Sequence, residues 1–348
     1  MLHVLVGAEC NNNCSFCMES DREGRRRHVL GQSPDDIRRF IEGYAARDQI
    51  LFTSGEPTLN ERLFEYVRWA RTAGFRSIGV ISNGRRLGYE KYAQALLAAG
   101  VNKVTLSIHG ATAAVHDSLT RTPGSFAQSS KALATLGALK RHRRFDLHTS
   151  TVLVRRNLPC LREIHQYLSS FPVDRVCFNV MMAKGGGDER FDLLMPRYSD
   201  VAARFRELSR DLDPSAIERT NLADVPVCAM TGVDQRLLGA QEHFEQFETR
   251  QSSGVATLGK GDLERMSGDG DARAARLLER QAEVDLQGDA AYYLTTRELK
   301  DDLSRDKRAE CRTCALDAGC PGVWRRYVDV HGWSELVPVR REARASCT

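Results

Sequence analysis

Three cysteines lie within eight residues, Cys10-Asn11-Asn12-Asn13-Cys14-Ser15-Phe16-Cys17, directly after an apolar run at 3–6. The run reads as a first β-strand, so the thiols sit on the loop leaving its C-terminal end. Cysteines this close bridge one another poorly, because a disulfide needs a set Cα separation and side-chain direction. They can instead point into one loop pocket and bind iron as thiolates. Three thiolates fill three corners of a cubane cluster and leave the fourth iron open to an outside ligand. A zinc site or a chance cysteine cluster is the plainer alternative, although zinc sites more often use paired C-x-x-C or histidine spacings.

The elements that position this loop follow from hydrophobic periodicity. Short apolar runs at 49–53, 77–81, 104–108, 146–154 and 175–180 read as further strands. Helical patterns fall between and after them, at 61–73, 89–99, 126–140, 159–169 and 199–211. Ser33-Pro34-Asp35-Asp36 has the form of a helix start: a capping serine, a proline in the first turn, then acids that suit the dipole. Gly74 and Gly100 are stop signals. Short strands alternating with amphipathic helices imply parallel strands with crossover helices. Six such units predict an α/β fold, an incompletely closed barrel. The polar segment 19–28, with Arg25-Arg26-Arg27, reads as a solvated loop or as a gating or phosphate-contacting loop over the barrel mouth. The expected divisions are a barrel at 1–228, a charged and partly helical insertion at 229–308, and a compact C-terminal block at 309–348.

The cysteine spacing, with an aromatic before the last thiol, resembles the radical S-adenosylmethionine (radical SAM) superfamily. The resemblance implies a partial (β/α)6 barrel with its site at the C-terminal ends of the strands, a [4Fe-4S] cluster on Cys10, Cys14 and Cys17, and S-adenosylmethionine (AdoMet) on the open iron. It implies reductive cleavage of AdoMet to a 5′-deoxyadenosyl radical that takes hydrogen from substrate. Thr53-Ser54-Gly55-Glu56-Pro57 follows strand two, where the family usually has Gly-Gly-Glu-Pro; its backbone and acid would hold the AdoMet amino group. Ser54 replaces the first glycine. By the same resemblance Phe16, Ser82, Asn83, Ser107, Thr151 and Asn179 are candidate cofactor contacts. His109 is either a cofactor or substrate contact or a structural histidine. Among Thr149, Ser150 and Thr151 alternation does not say which hydroxyl points inward. His116, Asp117 and Arg121 are candidate substrate-facing groups.

Cys311 and Cys314, then Cys320, followed by Trp324, Tyr327, Gly332 and Trp333, are similar to the auxiliary-cluster domains of this superfamily, the SPASM and shorter twitch types. A full SPASM pattern has seven cysteines, and here Val323-Trp324 stand where another would be expected. One auxiliary iron–sulfur cluster, of the [4Fe-4S] type, is therefore implied. Its fourth ligand is Cys228, Cys347 or an open corner, and a structural zinc site is the alternative for the block. Cys160 and Cys177 read as packing residues, since free cysteine often behaves as a small hydrophobe.

The net charge of +4 over 348 residues is too small to argue for nucleic acid. No apolar run approaches the ~20 residues needed to span a bilayer. Ten cysteines in metal-like spacings, with no leader pattern, favour a reducing cytosol. The expected partners are a peptide or small-molecule substrate and a reductant such as flavodoxin or ferredoxin. A tRNA-modifying radical enzyme would need a basic groove, for which Arg25 and the run 141–144 are the only basis. An iron–sulfur electron carrier or redox sensor would have no need of the Ser54–Pro57 loop.

Overall fold

The computed structural model describes residues 1–31, 33–44, 47–238, 268, 305–317 and 320–340. Most of the expected insertion, and Cys347, lie outside these residues. Seven strands form one parallel sheet: β1 (Leu2–Leu5), β2 (Gln49–Thr53), β3 (Ser77–Ser82), β4 (Lys103–Ser107), β5 (Asp146–Leu153), β6 (Arg175–Val180) and β7 (Thr220–Ala223). They are ordered as in the chain, with β1 and β7 at the edges, and every neighbouring pair is parallel. Right-handed crossovers between successive parallel strands put all the helices on one side. The other side becomes a barrel interior that β1 and β7 do not close. Both faces are therefore covered, and the centres of β2 (Ile50, Leu51, Phe52) and β3 (Ile78, Gly79, Val80) are buried without alternation.

The helix Pro34–Gly43 starts as expected: Ser33 and Asp36 form a reciprocal capping box, and Ile37 and Ile41 face the core. Three of the departures from expectation bear on the barrel mouth. The sheet has a seventh strand, which the sequence does not announce because Thr220-Asn221-Leu222-Ala223 contains a single large apolar residue; pairing with β6 and full burial define it. The segment expected as a basic loop is the helix Arg22–Gly31. Arg25 is not solvated: it is buried at the barrel mouth and donates to the backbone oxygens of Ala8 and Glu19, while Arg26 pairs with Glu9 at 2.6 Å. The third is the short helix Ala113–Thr120, capped by Thr112, in a stretch expected as loop.

After β7 the chain returns at 305 to make a two-stranded antiparallel sheet, β8 (Arg305–Asp306) and β9 (Val323–Trp324), and the helix Arg325–His331. Trp324, Tyr327 and Leu336 belong to the same hydrophobic core as the barrel strands. The join is specific. The Tyr327 ring stacks on Tyr198 at 4.0 Å, its hydroxyl accepts from the Tyr198 N–H at 2.8 Å, and it donates to Glu335 at 2.6 Å. Glu335 also accepts from the Ser199 N–H at 3.2 Å and pairs with Arg197. Tyr327→Phe keeps the stack and strands a buried N–H, so we expect a loss of about 1–3 kcal/mol in urea unfolding. An unchanged midpoint would show that this hydroxyl does not hold the two parts together.

Candidate functional site

Each of the seven strands of the parallel sheet, or the loop leaving it, contributes to one cavity of about 470 Å3 at the C-terminal end of the sheet, the end where barrel folds carry their sites. The cysteine loop forms one wall, with Cys10, Cys14, Cys17 and Phe16 all on the lining. The loop has no regular structure of its own and is pinned from several directions. Asn13 and Ser15 donate their N–H groups to Thr120 O and Leu119 O at 2.9 Å, and Cys17 O accepts from the Gly186 N–H at 2.9 Å. Asn11 is held by Asn83 Nδ2 at 2.6 Å and by Arg85. The Gly186 contact needs its glycines: a Cβ at Gly185 would lie 2.7 Å from Cys17 O, and one at Gly186 would lie 2.7 Å from Ser15 O. Burial pushes all three thiols up, and the fields of Cys17 and Cys10 push Cys14 further, so the three lie within one another's reach. Among the described residues no three Cys, His, Asp or Glu side chains converge as ligands of one metal ion. A cluster, with its thiolates on different irons, does not ask that of them.

The loop after β2 meets the cysteine loop closely. Gly55 has φ +44°, and a Cβ there would sit 2.4 Å from Gly7 O and 2.5 Å from Glu9 O. Ser54 is also left-handed, at φ +74°, which accounts for the glycine usually found there. Gly55 lines the cavity; Ser54, Glu56 and Pro57 do not. The assignment of the Glu56 acid to a cofactor is corrected by its surroundings. Glu56 is 1% exposed, and its carboxylate accepts from the Thr58 N–H (3.1 Å), Thr58 Oγ1 (2.6 Å), Ser82 Oγ (2.8 Å) and the Asn83 N–H (2.7 Å). Burial pushes this carboxyl up, and the four donors pull it back. It is a clasp between the ends of β2 and β3. The carboxylate that meets this loop from the cavity wall is Glu19, which accepts from the Gly55 N–H at 2.9 Å and Ser54 Oγ at 3.1 Å.

Ser82, Asn83, Ser107 and Asn179 line the cavity. Thr151 does not: it is fully buried and its hydroxyl donates to Ile108 O. Of the three adjacent hydroxyls it is Ser150 that reaches a lining residue, donating to Asn179 Oδ1 at 3.1 Å; Asn179 Nδ2 in turn donates to Asp224 at 3.2 Å. Asp224, at the end of β7 with φ +59°, is a lining residue that sequence reasoning missed, since a four-residue strand with one large apolar residue does not mark where it ends. His109 lines the cavity. His116 and Asp117 do not face substrate. His116 is fully buried and its Nδ1 accepts from the His109 N–H, while Asp117 caps the helix Ser125–Leu139 through Gly124, Ser125 and Phe126. Arg121 does line the cavity, in the left-handed conformation (φ +50°), beside the residues that hold Asn13.

The remaining thiols meet elsewhere. Cys228, Cys311, Cys314 and Cys320 line one pocket, with Arg305, Arg308 and Trp333. The Cys228 carbonyl accepts from the Val337 N–H at 3.1 Å, which fixes it against the C-terminal segment. Burial, then the fields of Cys320, Cys311 and Cys314, push the Cys228 thiol up to about 12. Four thiols in one pocket are a donor set that suits an iron–sulfur cluster, whose thiolates sit on different irons, better than a zinc ion, on which they would have to converge. Cys160 packs against the core from outside, as expected of a small hydrophobe. The clasp is testable: in Glu56→Gln the amide N–H2 must face the backbone N–H of either Thr58 or Asn83, each of which can only donate, and this should cost about 1–3 kcal/mol in urea unfolding. No loss would mean that the carboxylate is not needed where it sits.

Residues 4–168 match the family described as the Radical SAM superfamily. Over 208 residues the chain is 26% identical to the AdoMet-dependent heme synthase of Methanosarcina barkeri (strain Fusaro / DSM 804), covering 59% of this chain and 57% of that protein. The chain spans about half the length of the curated relatives it matches. The fold is shared with native anSMEcpe solved with bound AdoMet and Kp18Cys peptide (TM-score 0.55, 14% identity, 97% of this chain and 92% of that one). It is shared also with Streptococcus suis SuiB bound to its precursor peptide SuiA (TM-score 0.52, 13% identity, 98% and 74%). Residues 4–168 thus form a domain that matches the Radical SAM superfamily, within a fold shared with both of these solved structures.

Proposed function

We propose that the protein is a radical SAM enzyme acting on a peptide or small natural product. The observation that carries this is the convergence of Cys10, Cys14, Cys17, Phe16 and Gly55 on one cavity at the strand ends. The three thiols would hold a [4Fe-4S] cluster and leave one iron for AdoMet; once bound, these groups supply the 5′-deoxyadenosyl radical. The chain's own work is to bind, orient and exclude water. Gly55 lets the backbone approach the amino-acid end of the cofactor. Arg121 has no hydrogen bond or ion pair to another described side chain and stands beside the cysteine loop, so it suits the AdoMet carboxylate. Its left-handed backbone is the C-cap of the helix Ala113–Thr120, with its N–H donating to Asp117 O, and this fixes where the side chain starts. Cys228, Cys311, Cys314 and Cys320 would hold one auxiliary cluster, with Cys228 as the fourth ligand in preference to Cys347. With this goes the division into barrel, insertion and C-terminal auxiliary block.

A peptide is the preferred substrate class, because two structures that share the fold hold peptides. The tRNA alternative loses its support: Arg25 is buried, and residues 141–144 follow the helix Ser125–Leu139, which runs back to the opposite end of the sheet from the cavity.

The test is anaerobic. Protein reconstituted with iron and sulfide, reduced with dithionite and given AdoMet should yield 5′-deoxyadenosine by mass spectrometry. A variant with Cys10, Cys14 and Cys17 all changed to Ala should yield none and keep about half the iron, and adding Cys228→Ala should remove most of the rest. Arg121→Ala should weaken AdoMet binding about 10- to 100-fold, the size of a lost charged hydrogen bond. Native protein that neither binds AdoMet nor forms product would sink this proposal. Iron that stays when Cys228 is removed would return the fourth position to Cys347 or an open corner.

A further inference from the structure

Arg305, Lys307 and Arg308 all stand on the wall of the four-thiol pocket. Lys307 is held by Asp317, donating to its backbone oxygen at 2.7 Å and pairing with its carboxylate at 3.0 Å. The lining carboxylate Asp306 has Arg325 at 3.1 Å. Arg308 is anchored differently. Its carbonyl accepts from the Cys311 N–H at 3.0 Å, at the start of the 3-10 turn Ala309–Thr313 that carries that thiol. Its Nη2 donates to Leu336 O, and its guanidinium lies 5.6 Å from the centre of the Trp333 ring; both partners line the same pocket. The Nε atom is buried and has no hydrogen-bond partner among the described residues. Glu310 Oε2, at 3.7 Å, is beyond hydrogen-bond reach, and that side chain is 62% exposed. A buried N–H on a cation is costly without an acceptor, and the pocket it borders is walled by four sulfurs. One of those sulfurs already accepts from the chain: the Gly322 N–H donates to Cys320 Sγ at 3.4 Å. Gly322 has φ +89°, and a Cβ there would lie 2.7 Å from Asp306 O, so the turn that aims this N–H needs glycine.

We propose that Arg308 Nε–H donates to a sulfur of the iron–sulfur cluster held by Cys228, Cys311, Cys314 and Cys320, and so raises the reduction potential of that cluster. This rests on the four-thiol assignment made above. Four thiolates give such a cluster a net negative charge, and reduction adds one electron to it. Net charge and hydrogen bonds to sulfur are among the levers that set its potential. A guanidinium that donates to sulfur favours the reduced form, because a charge-assisted hydrogen bond strengthens as the acceptor becomes more negative. The cluster then takes an electron more readily than four thiolates alone would allow.

The experiment is a potentiometric titration of reconstituted full-length protein, followed by electron paramagnetic resonance, for native protein, Arg308→Met and Arg308→Gln. The signal of the other cluster is recognised by its absence when Cys10, Cys14 and Cys17 are changed to Ala. Met places a methyl carbon where Nε stands, with neither donor nor charge. Gln places an amide nitrogen there, a donor without charge. Both lose the Leu336 and Trp333 contacts alike, so the difference between them reports the N–H itself. Arg308→Met should make the four-thiol cluster harder to reduce, shifting its reduced-to-oxidised ratio about tenfold at a fixed potential, or about 59 mV for one electron. Arg308→Gln should recover part of that shift, and the other cluster should keep its potential in both. An unchanged potential in Arg308→Met would overturn the proposal. Equal shifts in the two variants would mean that charge alone acts, and would overturn the hydrogen bond. If protein with Cys10, Cys14 and Cys17 changed to Ala holds no iron–sulfur cluster, the four-thiol assignment itself falls, and that result is distinguishable because it needs no change at Arg308.

Discussion

A buried carboxylate holds the floor of the cavity. Glu56 sits just past the end of β2 and is 1% exposed, and an uncompensated charge there would cost several kcal/mol. It is tolerable because four donors close around it, two from the loop after β2 and two from the end of β3. The connection goes further. Asn83, held by Glu56 through its backbone, holds Asn11 through its side chain, and Asn11 opens the run of three asparagines between Cys10 and Cys14. One acid therefore fixes two strand ends relative to each other and both relative to the thiols.

The cysteine loop illustrates how an irregular segment becomes rigid. It makes almost no hydrogen bonds within itself. Its order comes from the end of the helix Ala113–Thr120 on one side and the glycine run 185–187 on the other. The same glycine loop begins at Lys184, which lies over the ring of Trp324, and Arg305 covers that ring as well. The second pocket is thus not remote from the first. Asp224 lines the cavity and Val225 to Cys228 line the four-thiol pocket, so the two share one short stretch of chain, which can span at most about 14 Å.

Much of this architecture is legible in the amino-acid order. The sixth strand occupies the apolar run at 175–180, Ser33 caps its helix, and both cysteine sets stand out as spacings. The features that pattern does not reveal have physical causes. Side-chain direction at strand ends is a tertiary property: Glu56 and Thr151 have the residue types of ligands, and neighbours claim them both. Arg25 reads as solvated because charge along a chain says nothing about two carbonyls waiting nearby in space. Asp224 and β7 are defined by pairing and burial rather than by pattern. Gly185-Gly186-Gly187 is plain in the sequence, but its partner, the cysteine loop, lies far away along the chain.

The position of Cys228 has a consequence for how the chain can vary. It stands at the barrel's end, while the three thiols it meets come after the long intervening segment. Anything bound by all four is a cross-link between the barrel and the C-terminal block, and its binding energy adds to that of the folded form alone. The cost of closing such a loop grows only as the logarithm of its length, by about 0.6 kcal/mol for each doubling. The segment between can therefore lengthen or shorten across descendants of this sequence with little thermodynamic effect, so long as both its ends return to the same four sulfurs.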